Sequence, residues 1–255
     1  MKITHFAKIL AGNNAVKISD NLIVFNDFEL YDMDKDESKN YDSLDDLIAD
    51  NEDVKAIIEA AEYFSLDYSG GRGSLSGEMG GGFTSAGGRR RGEQETIQNA
   101  ALNYGTAGGN SLTAVLGRFR DKYKDADTEY GTAVDEQGFV HNIQHGGKVS
   151  VDINGHKGET IIHNHPSGGN FSKGDLISTA SSQEKGIIAT SSNAKKVATY
   201  HLQKNNNFKA KAFIKAVNNA RWPKEYSYDK GADWWLKRNQ RAYGYKYSSK
   251  GLIGE

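Results

Sequence analysis

The feature that most constrains the fold of this chain is a glycine-rich segment, residues 69–92, in which ten of twenty-four residues are glycine. Such backbone loses much conformational entropy when it is ordered, so the segment is costly to pack and is typical of a flexible linker. It therefore predicts that the 255 residues divide in two. We predict an N-terminal module over 1–68, this linker, a helical lead-in over 93–124 and a C-terminal domain over 125–255.

The parts on either side of the linker differ in charge. Between Asp20 and Asp67 the chain has 16 acidic residues and three lysines, which gives a net charge of −13. The whole chain has a net charge of −1, so the remaining residues carry +12. This asymmetry predicts an acidic module that faces a basic remainder. A solvated acidic face without a specific partner is an equally good interpretation.

The composition excludes several classes of protein. The chain has no cysteine, which excludes disulfide frameworks, cysteine nucleophiles and thiolate metal sites. A bound metal ion must therefore be held by His, Asp or Glu. No apolar run approaches the length of about 20 residues that a membrane span requires, so we expect no membrane partner. No convincing apolar core follows Lys2, so we also expect no signal peptide.

The spacing of apolar residues predicts the secondary structure of both parts. Residues 15–31 predict two short strands, residues 32–42 an acidic loop, and residues 43–64 one or two helices with Ser43 as the N-cap. The first part is thus a small α+β module. In the second part, three or more strands flanked by helices predict an α/β or α+β layer. Its predicted strands are 130–135, 139–146, 149–154, 158–165, 186–190 and 196–202, and its predicted helices are 173–183, 208–220 and 231–243.

Two histidines at the end of a predicted strand carry the clearest chemical signal. Side chains alternate along a strand, so His163 and His165 project from the same face. Pro166 ends the strand, and a helix that begins near Ser172 can return Asp175 to the same point. Two imidazoles, one carboxylate and an open position form a catalytic zinc arrangement, in which zinc lowers the pKa of a bound water.

Each half of this pattern has an ordinary structural explanation. Ser172 and Asp175 also fit a helix N-cap with an acid three residues later, which contributes about 1 kcal/mol in many proteins without metal. A pair of histidines two residues apart is a weak signal alone. The combination of both halves favours a metal site formed by His163, His165 and Asp175.

These residues resemble the signature of the JAMM/MPN (JAB) zinc metalloproteases, in particular the H-N-H-P-S-G form of RadC-like proteins. The resemblance covers about 125–202, and six residues separate His165 from Ser172, one fewer than the family usually has. It implies a cytidine-deaminase-like three-layer α/β fold with a mixed sheet flanked by helices, bound Zn²⁺, and hydrolysis of peptide or isopeptide bonds. The implied substrate is a peptide or a protein conjugate.

The resemblance also implies an upstream glutamate that acts as general base. Glu129, at the start of the predicted strand 130–135, has the best position; Glu159 lies on the histidine strand and Glu136 in a turn. In the family the serine helps to position water or to stabilise the oxyanion, so the resemblance gives Ser172 a catalytic role.

The arrangement of the whole chain is similar to that of phage virion or head-associated proteins encoded in prophages. The similarity rests on the acidic module, the glycine-rich linker, the HNHPSGGNFS sequence and the late DWWLKRNQRAYGYKY sequence. It implies other virion proteins as partners, and the host bacterial cytoplasm or the virion as location.

Two other functions stay open. The chain is a virion structural protein with an auxiliary or vestigial metal site, or it is a RadC-like protein associated with nucleic acid. The second rests on the basic C-terminal tail, whose aromatic residues could stack on bases. We favour burial of Trp235, Leu236 and Tyr243 in a core instead, so nucleic acid is the less favoured partner.

Overall fold

The computed structural model describes residues 2–60, 95–96, 112–136, 138, 140–153, 155–191 and 198–251. The predicted linker lies outside these residues. The helices are α1 (Lys2–Gly12), α2 (Leu44–Asp50), α3 (Glu52–Ala60), α4 (Leu112–Tyr123), α5 (Lys173–Ser181), α6 (Ala210–Asn218) and α7 (Tyr228–Tyr243). The strands are β1 (Ala15–Lys17), β2 (Leu22–Phe25), β3 (Glu29–Asp32), β4 (Glu37–Asn40), β5 (Glu95–Thr96), β6 (Tyr130–Val134), β7 (Val140–His145), β8 (Thr160–His165), β9 (Gly186–Ser191), β10 (Thr199–Lys204) and β11 (Tyr245–Lys250).

Residues 2–60 form a four-stranded antiparallel sheet, β1 to β4 in chain order, with helices α1 to α3. Their apolar faces share a core that includes Phe6, Leu10, Val24, Leu47 and Ile58. The prediction of two strands over 15–31 is wrong, because the structure has three. The predicted acidic loop likewise contains β4, whose side chains are all exposed. Strand β4 is held by backbone pairing to β3 and buries no side chain, so its sequence shows no apolar alternation.

The C-terminal part is built on a seven-stranded mixed sheet of order β11-β10-β9-β8-β6-β7-β5. Only β8 and β9 pair in parallel; the other neighbours are antiparallel. A parallel pair needs a crossover connection, which α5 supplies between β8 and β9. The prediction of a mixed α/β layer is confirmed at this level.

Helices cover both faces of this sheet. Helix α4 packs Val115 and Phe119 against Val134, Ile143 and Ile162 on one face. On the opposite face, α5, α6 and α7 bury a larger core. Its members include Ile161, Phe171, Leu176, Ile177, Tyr200, Phe213, Ile214, Trp235, Leu236, Tyr245 and Tyr247. Because neighbouring residues of β8 point to different faces, the two cores lie on either side of one buried strand.

Two predictions in the C-terminal part are wrong. Glu95 and Thr96, placed in the helical lead-in, form a short strand that pairs with β7. Residues 149–153, predicted as a strand, form no ladder; Val151 and Ile153 instead pack over the bare backbone of Gly131. Alternating apolar residues show only that one side of a segment is buried. The irregular segment 149–153 lies on the face of the sheet and is buried on one side too, so its sequence looks like that of a strand.

The late helices are close to prediction. Helix α7 ends at Gly244, whose φ of 75° is the left-handed conformation of a C-cap glycine. Trp235 and Leu236 are buried and Tyr243 packs against the same core, so the prediction of a core role for these residues is confirmed. None of the helices in the described part of the chain combines the length and the apolar character of a membrane span.

A buried carboxylate joins the N-terminal sheet to α6. Glu29 accepts hydrogen bonds from Lys211 and Lys215, each at 2.6 Å. Nearby, the side-chain amide Nδ2 of Asn218 donates to Tyr31 Oη and to the Met33 carbonyl oxygen. Burial by itself raises the pKa of Glu29, but the two lysines outweigh it and lower that pKa to about 2.

This contact predicts a pH-dependent contribution to stability. A carboxyl group with a lowered pKa stabilises the fold above its unfolded pKa of 4.5, and this contribution is lost as the pH falls through about 2. We expect Glu29→Gln to lower the free energy of unfolding at neutral pH by at most about 3 kcal/mol. In urea denaturation at pH values between 4.5 and about 2, the free energy of unfolding should fall less steeply with decreasing pH for the variant than for the wild type. Parallel curves would contradict the assignment.

Gly186 predicts a second effect on stability. A Cβ at this position of β9 would lie 2.3 Å from the Leu202 carbonyl oxygen of β10, which is backbone and cannot rotate away. Gly186→Ala should therefore lower the free energy of unfolding by about 2 kcal/mol or more. Gly117→Ala is the matched control, because nothing lies within 4 Å of its Cβ in helix α4, and it should stabilise by about 0.5–1 kcal/mol. Chemical denaturation of both variants distinguishes these outcomes.

Candidate metal centre

The local sequence explains how β8 and α5 meet. Strand β8 is buried along its whole length, which fits the apolar pair Ile161 and Ile162 and its place in the middle of the sheet. The chain then turns through Gly168, whose φ is 77°, and enters α5 at its N-cap Ser172. The amino end of α5 thus returns to the carboxyl end of β8.

The three predicted metal ligands come together at this point. His163 Nε2 and His165 Nε2 lie 2.7 Å apart. The Asp175 carboxylate places Oδ1 3.7 Å from His163 Nε2 and Oδ2 3.4 Å from His165 Nε2. Both histidines are buried, whereas the Asp175 side chain is 23% exposed. These three residues could hold a metal ion, since their ligand atoms all lie within 4.8 Å of one another.

The orientation of His165 is set by a backbone carbonyl. Its Nδ1 lies 2.9 Å from the carbonyl oxygen of Gly169, which can only accept, so Nδ1 carries the proton and donates. In a neutral imidazole the lone pair is then on Nε2, the atom that faces His163 and Asp175. Metal-binding histidines are commonly fixed in this way by a second hydrogen bond.

The charges of the cluster influence one another. Burial lowers the pKa of His165, but Asp175, by hydrogen bond and charge, and Glu129 raise it to about 9. Burial raises the pKa of Asp175, yet His163 and His165 hold that pKa well below its ordinary value. The positive charge of the histidines therefore keeps the Asp175 carboxylate ionised, and a bound cation would stabilise it in the same way.

Glu129 lies beside this cluster. The ladder between β6 and β8 pairs Gly131 with His163, so Glu129, two residues earlier on the same face, comes level with His165. Glu129 is only 7% exposed, and its pKa is raised to about 7 by burial, with a lowering effect of His165 and a further raising effect of Asp175.

The two alternative glutamates lie elsewhere. Glu136 is exposed and pairs with Lys185 at 2.7 Å. Glu159 precedes β8 at the end opposite the histidines and accepts a hydrogen bond from the His156 amide at 2.6 Å. Of the three carboxylates, only that of Glu129 interacts electrostatically with His165 and Asp175 among the described residues, and its role as general base stays a prediction.

Ser172 occupies the helix cap and contacts Asp175 at the same time. Its Oγ accepts from the Asp175 amide at 3.1 Å, and the Asp175 Oδ2 accepts from the Ser172 amide at 2.7 Å and from Oγ at 2.8 Å. This is a complete capping box. The sequence left open whether Ser172 and Asp175 form a helix cap or belong to a metal site. In the structure they form the cap, and the Asp175 carboxylate also lies close to both histidines. A catalytic role for Ser172 stays a prediction.

Helix α7 anchors the loop that orients His165. Asp229 accepts a hydrogen bond from the Asn170 amide at 2.7 Å, and the Asn170 side chain donates to Tyr247 Oη at 3.0 Å. Tyr228 Oη also donates to the Phe171 carbonyl oxygen at 3.1 Å. Sequence reasoning missed these residues because the contacts join positions 57 to 77 residues apart.

Other histidines lie outside the cluster. His145 ends β7, stacks on Tyr130 with ring centroids 4.4 Å apart, and places Nε2 2.8 Å from Thr128 Oγ1. His156 lies at the other end of β8, near Glu159. The His141 side chain lies outside the described residues.

Comparison of this chain with protein-family models, with curated proteins and with solved structures found no match. The chemistry of the site therefore has to be argued from its geometry.

The geometry predicts one divalent ion per chain. Titration calorimetry with Zn²⁺ should give a stoichiometry of one, and Asp175→Ala or His163→Ala should weaken binding by about 100-fold or more, because each removes a ligand. Bound metal should also raise the thermal unfolding midpoint. His156→Gln is the matched control and should bind as the wild type does. Equal weakening by the control, or no binding by the wild type, would contradict the site.

Proposed function

We propose that this protein is a zinc-dependent hydrolase that cleaves a peptide or isopeptide bond by means of a metal-activated water. The observation that carries the proposal is the convergence of His163, His165 and Asp175 at the end of β8, with the buried carboxylate of Glu129 beside them. A three-ligand set with an accessible fourth position is typical of catalytic rather than structural zinc sites.

The spacing of the donor atoms fits a small tetrahedral ion such as Zn²⁺. The three closest distances among the ligands are 2.7, 3.4 and 3.7 Å. Tetrahedral ligands at the usual bond lengths of zinc lie roughly 3.3 Å apart, so the ligands are already close to the required positions. Two imidazoles and one carboxylate also suit zinc better than Mg²⁺ or Ca²⁺, which prefer oxygen ligands.

Each residue of the site then has a chemical role. Zinc held by His163, His165 and Asp175 would supply a Lewis acid that polarises the scissile carbonyl and lowers the pKa of a water to about 7. Glu129 would accept a proton from the water as its oxygen bonds to the carbonyl carbon, and would pass that proton to the amine nitrogen as the carbon–nitrogen bond breaks. Its burial places the carboxylate away from bulk solvent. The exposed Ser172 hydroxyl, which donates to Asp175 Oδ2 in the structure, would donate instead to a developing oxyanion.

We assign the C-terminal part to a JAMM-like fold on this basis. What supports the assignment is a glutamate next to an antiparallel strand, a histidine strand in a mixed sheet, and a following helix that begins with serine and carries aspartate. The loop of six residues between His165 and Ser172 is one residue shorter than in that family and still brings Asp175 to both histidines.

The proposed substrate is a peptide or a protein conjugate in a phage setting, in the virion or in the host bacterial cytoplasm. This part of the proposal rests on the sequence resemblance to virion-associated proteins, for which other virion proteins are the expected partners. An accessory metal site in a structural virion protein is the competing function, and the two differ in whether Glu129 is needed for turnover.

The test is Glu129→Gln in the zinc-loaded full chain. The variant keeps the size of the side chain and removes its ability to accept a proton, so hydrolysis should fall by about 100-fold or more while zinc binding stays within about threefold. Wild type and variant are incubated with a mixture of proteome-derived peptides and with isopeptide-linked peptide pairs, and new termini are identified by mass spectrometry.

Glu136→Gln is the matched control, because Glu136 is exposed and pairs with Lys185 away from the site. It should cleave as the wild type does. Equal turnover by the Glu129 variant removes Glu129 from the mechanism. A zinc-loaded wild type that generates no new termini contradicts the hydrolase and favours the structural role.

A further inference from the structure

Asn164 lies between the two histidines on β8 and contacts the backbone on both sides of Glu129. Its Oδ1 accepts a hydrogen bond from the Tyr130 amide at 2.6 Å, and its Nδ2 donates to the Thr128 carbonyl oxygen at 3.0 Å. The side chain is 1% exposed. One buried amide therefore holds both peptide groups that adjoin Glu129.

This contact takes over where the backbone ladder ends. The registered pairs between β6 and β8 run from Val134 and Thr160 to Gly131 and His163. The next pair in this register would be Tyr130 with Asn164, and there the Asn164 side chain supplies the hydrogen bonds instead. The side-chain amide carries the same donor and acceptor as a peptide group, so it extends the pairing by one position.

The other edge of the same segment is held by backbone. The Glu129 amide donates to the Gly147 carbonyl oxygen at 2.7 Å, and the Gly146 amide donates to the Glu129 carbonyl oxygen at 2.7 Å. Gly146 also packs closely against the following segment, since a Cβ there would lie 2.1 Å from the Ser150 carbonyl oxygen. With Asn164 on one side and this loop on the other, the backbone dihedral angles of Glu129 are fixed.

We propose that Asn164 is a positioning residue that sets the direction in which the Glu129 carboxylate enters the metal centre. The catalytic meaning of this role rests on the proposed hydrolase function, whereas the contact itself does not. Asn164 faces away from His163 and His165 on the strand, so it acts through the Glu129 backbone and not by touching the ion.

The chemistry of the contact explains why asparagine is required. Aspartate at this position accepts from Tyr130 but cannot donate to the Thr128 carbonyl oxygen, and its charge would face that oxygen. Leucine has nearly the same shape and forms neither bond. Loss of a buried hydrogen bond lets the segment shift, and a displacement of about 1 Å in a catalytic group costs about 100-fold in rate.

The first test uses Co²⁺ as a spectroscopic probe in the full chain. The visible bands of Co²⁺ respond to its ligands and to the groups that hydrogen-bond to them, so the part of their pH dependence that Glu129→Gln changes reports on Glu129. Glu129→Gln should alter this pH profile, and Asn164→Leu and Asn164→Asp should alter it in the same direction. Ile162→Val, on the same face of β8 and in the core, is the matched packing control and should leave it unchanged.

Amide hydrogen exchange supplies a second, independent measurement. The Tyr130 amide should exchange about tenfold faster or more in Asn164→Leu than in the wild type, because its acceptor is removed. Asn164→Asp keeps the acceptor and should protect this amide. It also serves as the second variant if the leucine variant fails to fold.

The outcomes separate this inference from the proposed function. If Glu129→Gln changes the pH profile but both Asn164 variants keep the wild-type profile, the positioning role is overturned. It is also overturned if the profile of Glu129→Gln matches that of the wild type. An altered profile together with absent hydrolysis in the wild type supports the positioning role and rejects the hydrolase. Where hydrolysis is present, Asn164→Leu should lower kcat by about 100-fold and leave KM and zinc affinity near their wild-type values.

Discussion

The parallel pairing of β8 with β9 is the constraint on which the rest of the C-terminal structure depends. All other neighbours in the seven-stranded sheet are antiparallel and can be joined by short connections. This one pair requires a crossover, and the crossover helix α5 begins where β8 ends. The crossover that connects β8 to β9 thus also places Asp175 close to His163 and His165. Ligands commonly bind beyond the carboxyl ends of such strands for this reason.

The site is supported from three directions. Strand β6 brings Glu129 level with His165, helix α7 holds the loop whose Gly169 carbonyl oxygen orients the His165 ring, and Asn164 fixes the backbone around Glu129. Three of these supports are partly buried hydrogen bonds, so the loss of one leaves a polar atom with reduced access to water.

Local patterns predicted those parts of the structure that depend on a few neighbouring residues. The histidine pair on one face of a strand, the serine cap of α5 and the glycine that ends α7 follow from side-chain alternation and from capping chemistry, and the structure has them. A layer of strands flanked by helices was also predictable from the order of these elements, whereas the mixed sheet was expected only from the family resemblance. Strand β4 was missed because all its side chains are exposed, so its sequence carries no apolar pattern. Strands β5 and β11 were missed because each pairs with a segment more than 40 residues away. The role of Asn164 was hidden for the same reason, since it depends on a strand 34 residues away.

The carboxylate of Asp175 belongs to two structures at once. Its Oδ2 completes the first turn of α5 through Ser172, and the same group lies within 3.4 Å of His165 Nε2. An ion that draws this oxygen away competes with the helix start, so occupancy of the centre and order in the first turn of α5 are thermodynamically coupled. If Asp175 binds an ion, a substitution at position 175 has to preserve both the helix cap and the ligand, so fewer residues are acceptable there than at an ordinary cap.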